Sequence, residues 1–323
     1  MRRFRAFLTA CAAAGCVLTL TACSAFSDGG SDEKRVGGES KAGEKATVLT
    51  TFTVLADVAE NVAGDNLRVE SLTKPGAEIH GYEPTPKDVA KASDADLILD
   101  NGLGLETWFK KFLQDTDAPH VMVSKGVHEI PITRDAEAAD DEHARGPNPH
   151  AWMSPENVSI YVDNMVDAFS SLDPDNAADY AKNGAAYQAK LDKISKRMSK
   201  QLSEVPQKQR ALVTCEGAFS YLARDADMTE HYLWPVNAES EATPQRVARV
   251  TEAVKEDNIP VVFCESTVSD KAMQQVVSAT DAEFGGTLYV DSLSEEVPTY
   301  LDLLTHDVDL IVGGLTGGEA AND

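Results

Sequence analysis

The apolar positions of this chain alternate between two periods. Short runs of β-branched and aliphatic residues, at Val48 to Phe52, Leu67 to Leu72, Asp96 to Asp100 and His120 to Ser124, read as strands. Between them a helical pattern runs through Ala63, and another starts at Pro86. The second half repeats the alternation. Strands are expected near Ala211 to Thr214, Pro260 to Cys264 and Thr287 to Asp291, and helices near Pro244 to Asp257, Asp270 to Thr280 and Pro298 to His306. Such a pattern predicts an α/β fold of mainly parallel sheets flanked by helices. No repeat of fixed period runs through the sequence, so two α/β lobes are expected rather than one large sheet.

Between the two halves lies the most helical stretch, from Asp175 to about Glu204, free of proline and with only Gly184 against it. Tyr180, Tyr187, Leu191, Ile194, Met198 and Leu202 recur at three, four and seven, which gives one buried stripe. A rod of some thirty residues measures roughly 45 Å, long enough to reach both lobes. The expected organisation is an export segment at 1–22, a tether at 23–46, a first lobe at 47–172, a linking helix at 173–206 and a second lobe at 207–323.

The start of the chain departs from this pattern. Met1-Arg2-Arg3-Phe4-Arg5 precedes an apolar run from Ala6 to Leu20, shorter than the roughly 20 residues of a membrane span, and reads as an export signal. Leu20-Thr21-Ala22-Cys23 resembles the lipobox of bacterial lipoproteins, in which the Cys23 thiol is acylated and becomes the new N-terminus; ordinary cleavage near Ala22 is the alternative. Residues 24–46, rich in Ser, Gly, Asp, Glu and Lys, suit a flexible tether. The expected location is therefore the outer face of the cytoplasmic membrane, with the lipid on Cys23 as anchor. Of five cysteines, Cys11 and Cys16 leave with the signal and Cys23 takes the lipid. Cys215 and Cys264 remain, and an exported protein with two cysteines favours one disulfide.

Composition narrows the partners. The 323 residues are 42% hydrophobic, which excludes disorder and collagen, and 53 acidic against 29 basic residues give a formal charge of −24. Loss of Arg2, Arg3 and Arg5 with the signal makes the exported part more acidic still. That field repels nucleic acid, so no nucleic-acid partner is expected and a cation is the more natural one. Much of the acidity, including the run from Asp135 to Glu142, is ordinary solvation.

Four strong ligand residues fall just after a strand or just before a helix, at the strand ends where α/β sheets bind ligands. His80 lies in Gly76-Ala77-Glu78-Ile79-His80-Gly81-Tyr82-Glu83-Pro84-Thr85-Pro86, ahead of an expected N-cap at Thr85. His150 lies in Asn148-Pro149-His150-Ala151-Trp152-Met153-Ser154-Pro155, ahead of a second cap at Ser154. Glu216 and Asp291 stand at the ends of two strands of the second half. Two neutral imidazoles and two carboxylates carry −2, which balances a divalent ion. Taken singly each residue is weak, since a lone histidine is more often structural and a strand-end carboxylate more often a cap. A metallohydrolase uses the same ligand types. Yet there is no helical histidine pair with a glutamate, no nucleophile motif and no phosphate loop, so an enzyme is not expected.

Six segments together carry a family likeness: His80-Gly81-Tyr82-Glu83-Pro84-Thr85-Pro86, Asn148-Pro149-His150-Ala151-Trp152, Thr214-Cys215-Glu216-Gly217-Ala218-Phe219, Trp234-Pro235-Val236-Asn237-Ala238-Glu239-Ser240, Phe263-Cys264-Glu265-Ser266 and Tyr289-Val290-Asp291-Ser292. Over about residues 46–323 the chain resembles the cluster A-I (family 9) solute-binding lipoproteins of ABC transporters, most closely their manganese-binding branch. The resemblance implies two lobes joined by a long rigid helix, with a metal held between them by His80, His150, Glu216 and Asp291. It implies Mn2+ as transported ion, with Zn2+ or Fe2+ as alternatives, and a monomer acting with a permease and its ATPase; an adhesin role can coexist with transport. Zinc-binding members carry a long histidine-rich loop before the second ligand and usually a third histidine at the Glu216 position. Here the loop holds only His143, and two carboxylates make a harder site, which favours manganese. Close relatives in the manganese branch share the Cys215–Cys264 pair, and thiol ligation of the metal is its competing reading. His120, His128, His143, His231 and His306 are expected to serve packing or solvent, and Trp152 and Trp234 to line the cleft or fill the core. Proton competition at the imidazoles is expected to weaken binding below about pH 6.5.

Overall fold

Three parallel sheets flanked by helices, one of four strands in the first half and two of two strands in the second, account for the alternation of the sequence. The computed structural model describes residues 45–108, 118–132, 146–236 and 242–317. The export signal, Cys23, all but the last two residues of the tether, the acidic run with His143, and Asn237 to Ser240 lie outside the described residues. In the first half, strands β1 (Thr47–Thr50), β2 (Arg68–Ser71), β3 (Leu97–Asp100) and β4 (His120–Met122) form one parallel sheet in the order β2-β1-β3-β4. The two central strands are buried along their whole length, as expected of a sheet covered on both faces. Helix α1 (Thr53–Ala63) follows β1, and α2 (Pro86–Ser93) leads into β3. Helix α3 (Pro155–Leu172) starts as its sequence predicts, with Pro155 in its first turn and Ser154 Oγ accepting the Asn157 N–H at 3.1 Å.

Helix α4 (Ala177–Leu202) has 26 residues, a rod of about 39 Å. Its predicted stripe is buried at Tyr180, Tyr187, Leu191, Met198 and Leu202, with Ile194 half-buried. Gly184 belongs to the same stripe. A Cβ there would stand 2.7 Å from Val166 Cγ2 and 3.1 Å from Val162 Cγ1, so the missing side chain lets α3 and α4 pack closely.

The second half holds β5 (Ala211–Glu216) paired with β6 (Thr229–Trp234), and β7 (Val261–Glu265) paired with β8 (Glu283–Leu288), both parallel. Around them lie α5 (Ser220–Asp225), α6 (Pro244–Asp257), α7 (Lys271–Ala279) and α8 (Tyr300–Thr316). Cys215 and Cys264 form a disulfide with a Cα separation of 4.9 Å, tying β5 to β7. Helix α4 packs on α1, α3 and α8, elements of both halves, and the largest apolar core is continuous across them.

Three elements differ from expectation. Strand β6 was not foreseen, because Thr229, Glu230 and His231 break its apolar run; only Leu233 and Trp234 are buried. Strand β8 is expected at Thr287 to Asp291 but runs from Glu283 to Leu288. The discouraging Gly285-Gly286 pair is what admits it: a Cβ on Gly285 would come within 2.4 Å of Val261 and Phe263, at an irregularity in the β7–β8 register. Helix α8 continues past His306 to Thr316, its Gly314 facing Val261. Among the described residues no helix is long and apolar enough to cross a membrane. Replacing Gly184 by valine forces a branched side chain into the α3–α4 contact; Gly184→Val is expected to cost about 1–3 kcal/mol in urea unfolding.

Candidate metal centre

The two histidines are positioned by loops that the local sequence caps, and the two carboxylates by strand ends or the segments just beyond them, held through contacts across the fold. The His80 loop is anchored at Asp88, whose Oδ2 accepts from Thr85 N and Thr85 Oγ1 at 2.7 Å and from the Tyr82 hydroxyl at 2.9 Å. Burial alone raises Asp88, but these donors outweigh it and hold the carboxyl below its usual range. Upstream, Glu78 accepts the backbone N–H groups of His80 at 2.6 Å and Gly81 at 2.9 Å. His150 leads into a 3-10 turn, Ala151–Met153, that runs into the Ser154 cap of α3. Glu216 is the last residue of β5. Asp291 lies beyond β8 rather than at its end: the Tyr289 N–H leaves the ladder and donates to buried Asp307 Oδ1 at 2.9 Å.

His80, His150 and Asp291 converge, and Glu216 approaches this cluster at His80. His80 Nε2 lies 3.1 Å from His150 Nε2, 3.6 Å from Asp291 Oδ1 and 4.0 Å from Glu216 Oε1, and His150 Nε2 lies 3.7 Å from Asp291 Oδ1. All four side chains are at most 7% exposed. Asp291 Oδ1 is buried without a hydrogen-bond partner, while Oδ2 accepts from Thr267 Oγ1 at 3.2 Å. His150 Nδ1 is 3.0 Å from Asn148 Oδ1, an oxygen that can only accept, so the ring proton sits on Nδ1 and the Nε2 lone pair faces the cluster. Two imidazole nitrogens and two carboxylates with one orphaned oxygen make a donor set that fits a divalent cation.

The electrostatics agree. Burial by itself lowers the His80 imidazole, but contact with Asp291 and the charges of Asp291, Glu216 and Glu78 prevail and lift it to about 9. Burial raises Asp291, yet the charged His80 imidazole beside it prevails and holds it far below the carboxylate range. Without a metal, the proton on His80 offsets one of the two carboxylate charges of the site.

Sequence reasoning gave Glu265 no role. Its carboxyl accepts the Glu216 N–H at 3.2 Å on both oxygens, and burial, then the charge of Glu216, push it well above the usual range. It therefore anchors the Glu216 backbone, while burial beside a second carboxylate disfavours its own charged form. The repeated Cys-Glu at the ends of β5 and β7 was its only trace in the sequence. Cys215 and Cys264 are bridged and offer no thiolate, which removes thiol ligation. Trp152 and Trp234 are core residues; Trp152 packs 4.9 Å from Phe52 and 5.0 Å from the His150 ring. Away from the cluster, His120 pairs with Asp100 at 3.0 Å and His306 Nε2 lies 3.0 Å from Thr287 O, while His128 is exposed and His231 half-buried.

Residues 48–314 match the family described as ZnuA, zinc-uptake complex component A, periplasmic. The iron-binding protein YfeA of Yersinia pestis is 49% identical over 275 residues, 84% of this chain and 86% of that protein. The manganese-binding lipoprotein MntA of Halalkalibacterium halodurans is 35% identical over 283 residues, 86% of this chain and 91% of that protein. The solved structure of a Mn-bound periplasmic metal binding protein from Candidatus Liberibacter asiaticus superposes with a TM-score of 0.77 at 36% identity, covering 84% of this chain and 100% of that one.

In metal-free protein, a nitrogen-detected NMR titration of the His80 ring is expected to show a midpoint near 9. The Asp291→Asn substitution removes the main opposing charge and should bring that midpoint down toward the ordinary value of about 6.5; an unmoved midpoint would contradict this origin of the shift.

Proposed function

The chain belongs to the ZnuA family of periplasmic metal-uptake proteins and is a substrate-binding protein of a metal ABC transporter, and we propose that its cargo is Mn2+, held by His80, His150, Glu216 and Asp291. The observation that carries this reading is the buried cluster of both imidazole Nε2 atoms and Asp291 Oδ1, with Glu216 Oε1 4.0 Å from His80 Nε2. Capture replaces the His80 proton by the ion, which takes the two carboxylates from half neutralised to fully balanced. Because His80 keeps its proton up to about 9, proton competition reaches well above the pH 6.5 expected from an ordinary histidine.

Two carboxylates, each able to bind through two oxygens, suit a hard ion with more than four donors and favour Mn2+ over Zn2+. Zinc still lies higher in intrinsic affinity, so tight binding of zinc in vitro does not make it the cargo. Fe2+ is the second reading, favoured by the 49% identity to a protein named as iron-binding, against 35% for one named as manganese-binding. Delivery is to a permease and its ATPase from outside the cytoplasmic membrane. The acylated Cys23 serves as anchor, in keeping with the name lipoprotein carried by relatives such as MntA. No catalytic role is assigned.

Two measurements test this. His150→Ala and Glu216→Gln should each weaken Mn2+ binding by more than about 100-fold, beyond the 10–100-fold typical of residues outside the coordination sphere. Elemental analysis of protein isolated from its native envelope under limiting metal should find manganese. Iron or zinc in its place would overturn the metal and leave the class standing.

A further inference from the structure

Asn148 is fully buried and its amide spans both halves of the molecule. Its Oδ1 accepts from the backbone N–H of His150 at 3.0 Å and from His150 Nδ1 at 3.0 Å. Its Nδ2 donates to the carbonyl of Gly217 at 2.6 Å and to Ser220 Oγ at 3.2 Å. The amide orientation follows from its neighbours, because a backbone N–H only donates and a carbonyl only accepts. The Asn148 backbone is fixed as well. Its N–H donates to Ile130 O at 2.7 Å, and its carbonyl accepts the Tyr221 hydroxyl at 2.8 Å.

The first pair of contacts explains the tautomer of His150 and needs only an oxygen. The second pair has no bearing on the imidazole. It reaches the residue that directly follows Glu216, in a turn whose other amide group is also tied, Gly217 N donating to Trp234 O at 3.0 Å. We propose that Asn148 is a positioning residue of the metal site, a single amide that sets His150 of the first half and the Glu216 turn of the second half at a fixed separation. The proposal rests on the reading of His150 and Glu216 as ligands. Metal affinity then depends on the amide nitrogen of Asn148 as much as on its oxygen, although neither atom touches the ion.

The two limbs separate by substitution. Asn148→Ala removes both. Asn148→Asp keeps an acceptor for His150, at least as strong as the amide, but sets an oxygen against the Gly217 carbonyl. Mn2+ affinity of the mature protein, by competitive titration, is expected to fall about 10–100-fold in both variants. The metal-free N148D protein should keep a cooperative melt and show His150 still protonated on Nδ1 by nitrogen NMR. If N148D binds Mn2+ as tightly as the parent or tighter, Asn148 only sets the tautomer and the cross-half role is wrong. If N148A binds within twofold of the parent, Asn148 has no positioning role at all. His150→Ala in the same titration separates the two readings: parental affinity in H150A would overturn the ligand assignment itself, whereas lost binding in H150A beside parental binding in both Asn148 variants would overturn only the positioning role.

Discussion

Two carboxylates, Glu216 and Asp291, are buried against two imidazoles at a place almost closed to water, and their charge must be balanced there. Much of the surrounding structure can be understood from that constraint. A proton on His80 meets half of it in the metal-free state, and a divalent ion meets it in full when bound. Two neighbouring acids fix the carboxylate-bearing segments. Glu265 and Asp307, both buried and both pushed up by burial, accept the backbone N–H groups of Glu216 and Tyr289.

The second condition is that ligands from distant parts of the chain keep their relative places. Hydrogen bonds between the halves bracket Asp291 on both sides. Trp152 Nε1 donates to Val290 O at 2.9 Å, Gly76 N to Leu293 O at 3.0 Å, and Leu293 N to Thr53 Oγ1 at 3.0 Å. Further out, Asp57 of α1 accepts from Tyr300 N at 3.0 Å and from the Tyr187 hydroxyl of α4 at 3.3 Å, joining the first half, the long helix and the start of α8. A large separation of the halves would break this seam together with the apolar core they share.

How much of this the sequence disclosed depended on whether the information was local. The helices with proline-started caps, α3 and α6, and the stripe of α4 were legible because period and capping chemistry are local properties. Strand β6 was hidden by its polar first residues, and the true span of β8 by glycines whose reason is a neighbour strand's side chains. The four site residues were visible as types at strand and helix ends, but only the family resemblance joined them, since residues 80 and 291 share no local spacing. Glu265 and the amide of Asn148 were out of reach, because their roles are made entirely by contacts across the fold.

The central claim is that one ion binds at the meeting point of His80, His150, Glu216 and Asp291. Anomalous diffraction at the manganese edge, from crystals of the mature protein loaded with Mn2+, tests it most directly. A single strong peak is expected, bonded to both imidazole Nε2 atoms and to oxygens of Glu216 and Asp291. A peak elsewhere, or one lacking either the imidazole pair or the carboxylates, would contradict it.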